Sequence, residues 1–177
     1  FDFICNYIPH TNGVANYAPY GLRKLEAGLL RDGFSRQEVV VAHPDHIEQF
    51  IGPDTEVIGT YEMDPLGMGP VTMTFTYGRK QISYDEFYNA ELHHRIKAAK
   101  LKTGSKAKVI SGASGTWQYN YDPAKIEEFG IYAILEGELG GIAPEIDGHA
   151  GRFFNYLING DFENMDPFRK RSDFKVN

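Results

Sequence analysis

Cysteine is nearly absent. Cys5 is the only one in 177 residues, so neither an intramolecular disulfide nor a multi-thiolate metal site can form within this chain. A reducing, cytoplasmic setting fits that usage. Long apolar runs are also missing: nothing approaches the ~20 residues needed to span a bilayer, and no basic stretch followed by an apolar one opens the chain. No membrane association is expected. Positive charge is in deficit, with 18 Lys and Arg against 24 Asp and Glu and a net charge of −6. No basic field exists to neutralise phosphates, which argues against nucleic acid as a partner. The phosphate-cradling patterns GxGxxG and GxxxxGK[ST] do not occur, and neither does the nucleophile elbow GxSxG, since "SGASG" (111–115) is one residue short of that spacing. The chain starts at Phe1 and ends in the polar stretch "DPFRKRSDFKVN" (166–177), which closes no obvious element. A fragment of a longer protein is expected.

What is present suffices for one core, with 42% hydrophobic and 14% aromatic residues. "FDFICNYI" (1–8) reads as a buried strand bounded by Pro9 and Gly13. From Pro19, Leu22, Leu25, Leu29 and Leu30 recur at helical spacing, with Pro19 suited to the first turn and Gly33 to the C-terminal cap. "EVVVA" (38–42) is a β-branched run of the kind covered on both faces, and "PDHIEQFIG" (44–52) is a short helix. "TEVIGTYEM" (55–63) is a third strand, stopped by the prolines and glycines of "DPLGMGP".

Ser83, three residues before Glu86, predicts a helix over 83–102 that carries Phe87, Leu92, Ile96 and Leu101. "AKVIS" (107–111) and "IYAILEG" (131–137) are the fourth and fifth strands. Between them lie a short extended piece at 116–121 and a helix at 122–130, with Asp122 capping and Gly130 ending it. A last helix spans about 149–159. Strands alternating with helices imply right-handed crossovers and a doubly wound α/β domain over residues 1–160, followed by an extension at 161–177.

In such a sheet ligands bind beyond the carboxyl ends of the strands. The loops there are "PHTNG" (9–13), "EMDPLGMG" (62–69), "SGASG" (111–115) and "EGELGG" (136–141), rich in glycine and short polar residues that serve either close ligand approach or plain turn chemistry. In "HPDH" (43–46), His43, Asp45 and His46 are ligand-capable, but Asp45 is explained better as a helix cap and first-turn charge. His93 and His94 read as solvated helix surface. Trp117, Tyr119 and Tyr121 either stack on a planar ligand or lid the core, the latter being favoured.

"APYGLRKLEAGLLRDGF" (18–34), "VIGTYEMDPLGMGP" (57–70), "KVISGASGTWQY" (108–119) and "YAILEGELG" (132–140) together resemble the cobalamin-binding domain that precedes the catalytic barrel in many radical S-adenosylmethionine proteins, archaeal ones especially. The resemblance spans about residues 1–160. It implies a flavodoxin-like, five-stranded parallel sheet of order 2-1-3-4-5 with the corrinoid over its carboxyl edge and the nucleotide tail between loops. The better-studied corrinoid domains carry Asp-x-His-x-x-Gly, Ser-x-Leu and Gly-Gly after three of their strands. Here His10 and Gly13 keep the first spacing, but Ile8 stands at the aspartate position. Thr60-Tyr61-Glu62-Met63-Asp64 replaces the second motif, and Gly112-Ala113 the third.

Carried onto this chain, the resemblance assigns cofactor contacts to His10, Thr11, Asn12 and Gly13, to Thr60, Glu62, Met63, Asp64, Leu66 and Gly67, to Gly112, Ala113, Ser114 and Gly115, and to Glu136, Gly137 and Glu138. His10 is the candidate cobalt ligand, although a ligating histidine normally leans on a carboxylate that Ile8 cannot supply. The iron–sulfur cluster and S-adenosylmethionine would belong to a downstream domain of the same polypeptide, an oxidoreductase-type enzyme performing methyl transfer or cyclisation, and the present chain would be non-catalytic alone. Two other readings stand beside it: a degenerate domain that binds no cofactor and serves as an interaction or gating surface, and a flavin or nucleotide site. Side chains such as Met63, Trp117 or Tyr119 filling the tail cleft would favour the degenerate domain.

Overall fold

A computed structural model describes residues 8–135, 150–160 and 174–176 of the chain. Its centre is a sheet of order β3-β4-β5-β6, formed by β3 (Val57–Tyr61), β4 (Lys108–Gly112), β5 (Ala133–Leu135) and β6 (Phe174–Val176). The first three run parallel, with Ile58 opposite Val109 and Ile110 opposite Ala133, and β6 closes the edge antiparallel to β5. The stretch read as closing no element thus supplies an edge strand.

This corrects the expected single five-stranded parallel sheet of order 2-1-3-4-5. Residues 1–7, the body of the expected first strand, lie outside the described residues. The expected strand at 38–42 does not form. Ala42 makes one isolated antiparallel bridge to Val14, and the Val41 carbonyl accepts from the Ala15 amide at 2.9 Å. A β-branched run becomes a strand only when a partner satisfies its backbone along its length. The neighbour here is a two-residue-armed hairpin, β1 (His10–Thr11) and β2 (Val14–Ala15). Asn12 and Gly13 close it with φ of 51° and 81°, the left-handed pair that tight hairpin loops require and that an Asn-Gly dipeptide supplies.

Helices cover both faces of the central sheet. On one face α3 (Tyr84–Thr103) and the 3₁₀ segment Pro44–Phe50 bury Ile51, Ile58, Ile96, Ala99, Ala107 and Val109 together. On the other, α5 (Ala150–Asn159) packs Phe153, Tyr156 and Leu157 against Ile110 and Ala133. Val109 and Ile110 point to opposite faces, as the period of two in a strand demands. Helix α1 (Tyr20–Arg31) lies beside α5, where the Gly151 amide donates to Asp32 Oδ2 at 2.8 Å. It ends as the sequence predicts, with Gly33 at φ 104°.

Local differences have local causes. Asp122 does not cap α4 (Ala124–Phe129) with its side chain; its carbonyl accepts from the Lys125 amide instead, and Pro123 holds the cap position. Residues 116–120 form a 3₁₀ turn rather than an extended piece. Helix α2 (Pro70–Phe75) starts inside the segment read only as a strand stop, because proline is also a good first helical residue. Ser83 caps α3 as expected, its Oγ accepting from the Glu86 amide at 3.1 Å.

Candidate functional site

The loops leaving β3 and β4 are fused into one structure. The Glu62 amide donates to the Gly112 carbonyl at 2.8 Å, and the Glu62 carbonyl accepts from the Gly115 amide at 2.9 Å. A Cβ on Gly115 would lie 2.3 Å from the Met63 carbonyl oxygen, so only glycine permits this approach. Gln118 pins the outer part, with its Oε1 accepting from the Leu66 amide at 2.8 Å and its Nε2 donating to Asp64 Oδ1 at 2.5 Å. Gly67 turns beneath at φ 65°. Ala113 takes φ 90°, a conformation costly for a residue with a Cβ.

Under this platform sits a buried carboxylate. Glu62 is 4% exposed. Its Oε1 accepts from Thr60 Oγ1 at 2.6 Å, His93 Nε2 at 2.7 Å and Ser111 Oγ at 2.9 Å, and its Oε2 accepts from the Tyr119 hydroxyl at 2.7 Å. Burial by itself pushes the Glu62 carboxyl up, but His93, Thr60 and Tyr119 outweigh it and hold the group below the usual carboxylate range. The same burial, with Glu62 alongside, drives the Tyr119 phenol far above its ordinary value.

His93 overturns its expected place on solvated helix surface. It is 0% exposed, stacked on Phe129 with ring centroids 4.9 Å apart, and its Nδ1 has no hydrogen-bond partner among the described residues. His94 does face outward, 3.4 Å from Glu128. The signal for His93 is present in the periodicity, since it lies three and six residues before Ile96 and Ala99 on the buried stripe of α3. A polar residue on such a stripe needs a buried partner.

Beside the platform lies a cavity of about 320 Å³ between the β3 exit and α3, lined among others by Tyr61, Met63, Asp64, Tyr88, Asn89 and Asp45. Its volume is at the low end of small-ligand sites. Asn89 links it to the interior by donating to the Tyr119 hydroxyl at 3.2 Å. Its walls are acidic. Asp85 is held above the usual carboxylate range by burial and by Asp64, and the one lining arginine, Arg95, is committed to Glu48 at 2.6 and 2.7 Å. Such walls repel phosphate and suit N–H donors.

Of the residues singled out from the sequence, Thr60, Glu62, Met63, Asp64, Leu66 and Gly67 come together with Gly112, Ala113, Ser114 and Gly115. Met63 and Trp117 stay 59% and 38% exposed, whereas Tyr119 is buried with Leu66, Phe129, Ile131 and Ile134. His10, Thr11, Asn12 and Gly13 sit on the hairpin, and the packing of Gly13 is against His46, Gln49 and Phe50. Glu136, Gly137 and Glu138 lie outside the described residues.

His10 meets His43 and His46 there, with ring centroids 5.3 and 4.1 Å away and 2.9 Å between the Nε2 atoms of His10 and His46. This brings together two segments the sequence offered separately as metal candidates. Yet His10 Nδ1 accepts from the Gly13 amide and His43 Nδ1 from the Asp45 amide, both at 3.1 Å. A neutral imidazole that accepts at Nδ1 carries its proton on Nε2, which then has no lone pair for a metal. Among the described residues no group of three or more His, Cys, Asp or Glu side chains is arranged to hold a metal ion. His43, not Asp45, caps the 3₁₀ segment, and Asp45 keeps its first-turn position.

Among the described residues no helix is long and apolar enough to cross a membrane. Fold and site together define an α/β chain with a glycine-dependent loop platform at the carboxyl edge of a short parallel sheet. Comparison with protein-family models, curated proteins and solved structures finds no match to this chain.

Proposed function

We propose that this chain is a corrinoid-binding module of a larger radical S-adenosylmethionine enzyme, with the cofactor resting on the loop platform. The observation that carries the reading is the fusion of loops 62–69 and 111–115 into one surface through Glu62 and Gly115, with Met63, Ser114 and Trp117 turned outward. A corrinoid is bordered by carboxamides, and the carboxylates of Asp64 and Asp85 would accept N–H donors from such groups. Its nucleotide phosphate would be repelled by the acidic cavity for the same electrostatic reason. This reading assigns the cobalt no ligand from His10, whose Nδ1 accepts from the Gly13 amide and whose Nε2 faces His46 Nε2 at 2.9 Å. A bound corrinoid supplies a transferable methyl group, and this chain's own part is to orient it and shield one face from water. Iron–sulfur chemistry belongs to the downstream domain.

Titration with hydroxocobalamin or methylcobalamin tests the proposal. Retained colour after gel filtration and a spectrum unchanged by His10→Ala are expected, and no retained colour in the native chain overturns it. A second reading, an interaction or gating domain without cofactor, draws on Tyr119 filling the interior below the loops and on the closed contact between Gly115 and Met63. A flavin or nucleotide is the weaker alternative, since its phosphates would meet acidic walls; flavin fluorescence after denaturing fresh protein separates it.

A further inference from the structure

We propose that His10, His43 and His46 form an acid-sensitive clasp that releases the hairpin of residues 10–15 from segment 41–50 when the imidazoles take up protons. The proposal goes beyond the cofactor reading and does not rest on it. Hairpin and segment meet through a few backbone contacts: Ala15 N–H to the Val41 carbonyl at 2.9 Å, His43 N–H to the Gly13 carbonyl at 2.8 Å, and the single Val14–Ala42 bridge. Interleaved with them are the three rings.

Each ring works as an acceptor. His10 Nδ1 takes the Gly13 amide and fixes the hairpin turn, and His43 Nδ1 takes the Asp45 amide and caps the 3₁₀ segment. The Nε2 atoms of His10 and His46, 2.9 Å apart, form a hydrogen bond only while one of them is bare. An imidazolium donates at both nitrogens and accepts at neither. Protonating His10 or His43 therefore sets N–H against N–H at the hairpin turn or at the cap, and protonating His46 does so at the His10 contact.

Among the described residues, the charged side chains facing the rings are Asp45 and Glu48, both of which also face Arg95. Asp45, whose side chain is 64% exposed, lies 3.8 Å from His43 Nδ1. Gln49 is neutral; its side-chain amide lies 3.0 Å from His46 Nδ1, which carries the His46 proton when Nε2 accepts from His10, so the amide is assigned with its oxygen accepting there, while Glu48 pairs with Arg95. Desolvation, then His46 and His43, hold His10 below the ordinary imidazole value, with Asp45 opposing. A lowered folded-state value means that the clasp is fully formed above about pH 6.5, the ordinary histidine value, and weakens as pH falls through the folded-state one. Pro44 and Asp45 also border the cavity, so release moves one of its walls.

Proton NMR titration of the whole chain from about pH 8 to about pH 5, with amide exchange corrected for its intrinsic pH dependence, is the test. The Gly13 and Asp45 amide resonances are expected to move with imidazole midpoints. Protection of the Ala15 and His43 amides should fall by roughly tenfold at the acid end. His10→Asn keeps an acceptor for the Gly13 amide but cannot titrate, and should reduce that loss to roughly threefold or less. In His46→Gln the His10 midpoint should rise. The inference is overturned if protection in the native chain changes by less than about twofold, if His10→Asn shows the full loss, or if His46→Gln leaves the His10 midpoint in place.

Discussion

Two polar clusters of this protein share histidine as an ingredient and differ in almost everything else. Around Glu62 a carboxylate is sealed in the interior and every oxygen is matched by a donor from Thr60, Ser111, Tyr119 or His93. Around His10 the rings serve as acceptors, satisfied only while they stay neutral. The first arrangement gains from charge because fixed donors replace water. The second is disrupted by charge, because an added proton removes the acceptor on which it depends.

The largest expected effect comes from emptying the first cluster. Glu62→Ala leaves buried hydroxyls and His93 without their acceptor, and should cost about 3 to 5 kcal/mol in urea unfolding. Glu62→Gln keeps the shape and one acceptor oxygen, and should lie between the native chain and Glu62→Ala. If Glu62→Ala costs under about 1 kcal/mol, the cluster is not an organising centre.

Gly115→Ala comes next. Its Cβ at 2.3 Å from the Met63 carbonyl must push the two loops apart, with an expected loss of about 1 to 3 kcal/mol and of any retained cobalamin. The pair of measurements separates a damaged platform from a damaged fold, because cobalamin lost from a chain that still unfolds cooperatively points to the loops alone.

Acid separates the clusters directly. Glu62 and Asp64 both sit below the usual carboxylate range, so the stability they contribute is present above about pH 4.5 and is lost as pH falls through their folded values. The clasp gives way earlier, below about pH 6.5. Amide exchange at Ala15 should therefore respond at higher pH than Trp117 fluorescence, which reports the platform. Coincident midpoints would erase the distinction. The smallest effect belongs to neither cluster: Ser83→Ala removes the α3 cap and should cost about 1 kcal/mol, a scale against which the others can be judged.

Several features are legible in the residues alone. The ends of α1 and α3, the β3 and β4 strands and the breaks in the chain that follow them at 62–69 and 111–115 follow from local chemistry: proline and glycine positions, the Ser83–Glu86 pair and short β-branched runs. The strand expected at 38–42 is not, because three valines specify a willingness to be extended and not a partner. The Asn12-Gly13 hairpin is written in the chain but overshadowed by the His10–Gly13 spacing. His93 is misplaced because "HH" looks polar in a line and only the helix period puts one ring inside and the other out.

By itself the sequence determined the α/β alternation, the exclusion of disulfides and thiolate clusters within this chain, and the glycine and proline positions that end its helices and strands, since each depends on composition or on residues near in the chain. Only the tertiary structure decided that Glu62, Ser111, Tyr119 and His93 form one buried group, and that His10, His43 and His46 meet as acceptors with no vacant lone pairs on His10 and His43 for a metal. Burial and the meeting of these side chains are set by neighbours distant in sequence, and no spacing of residues encodes them.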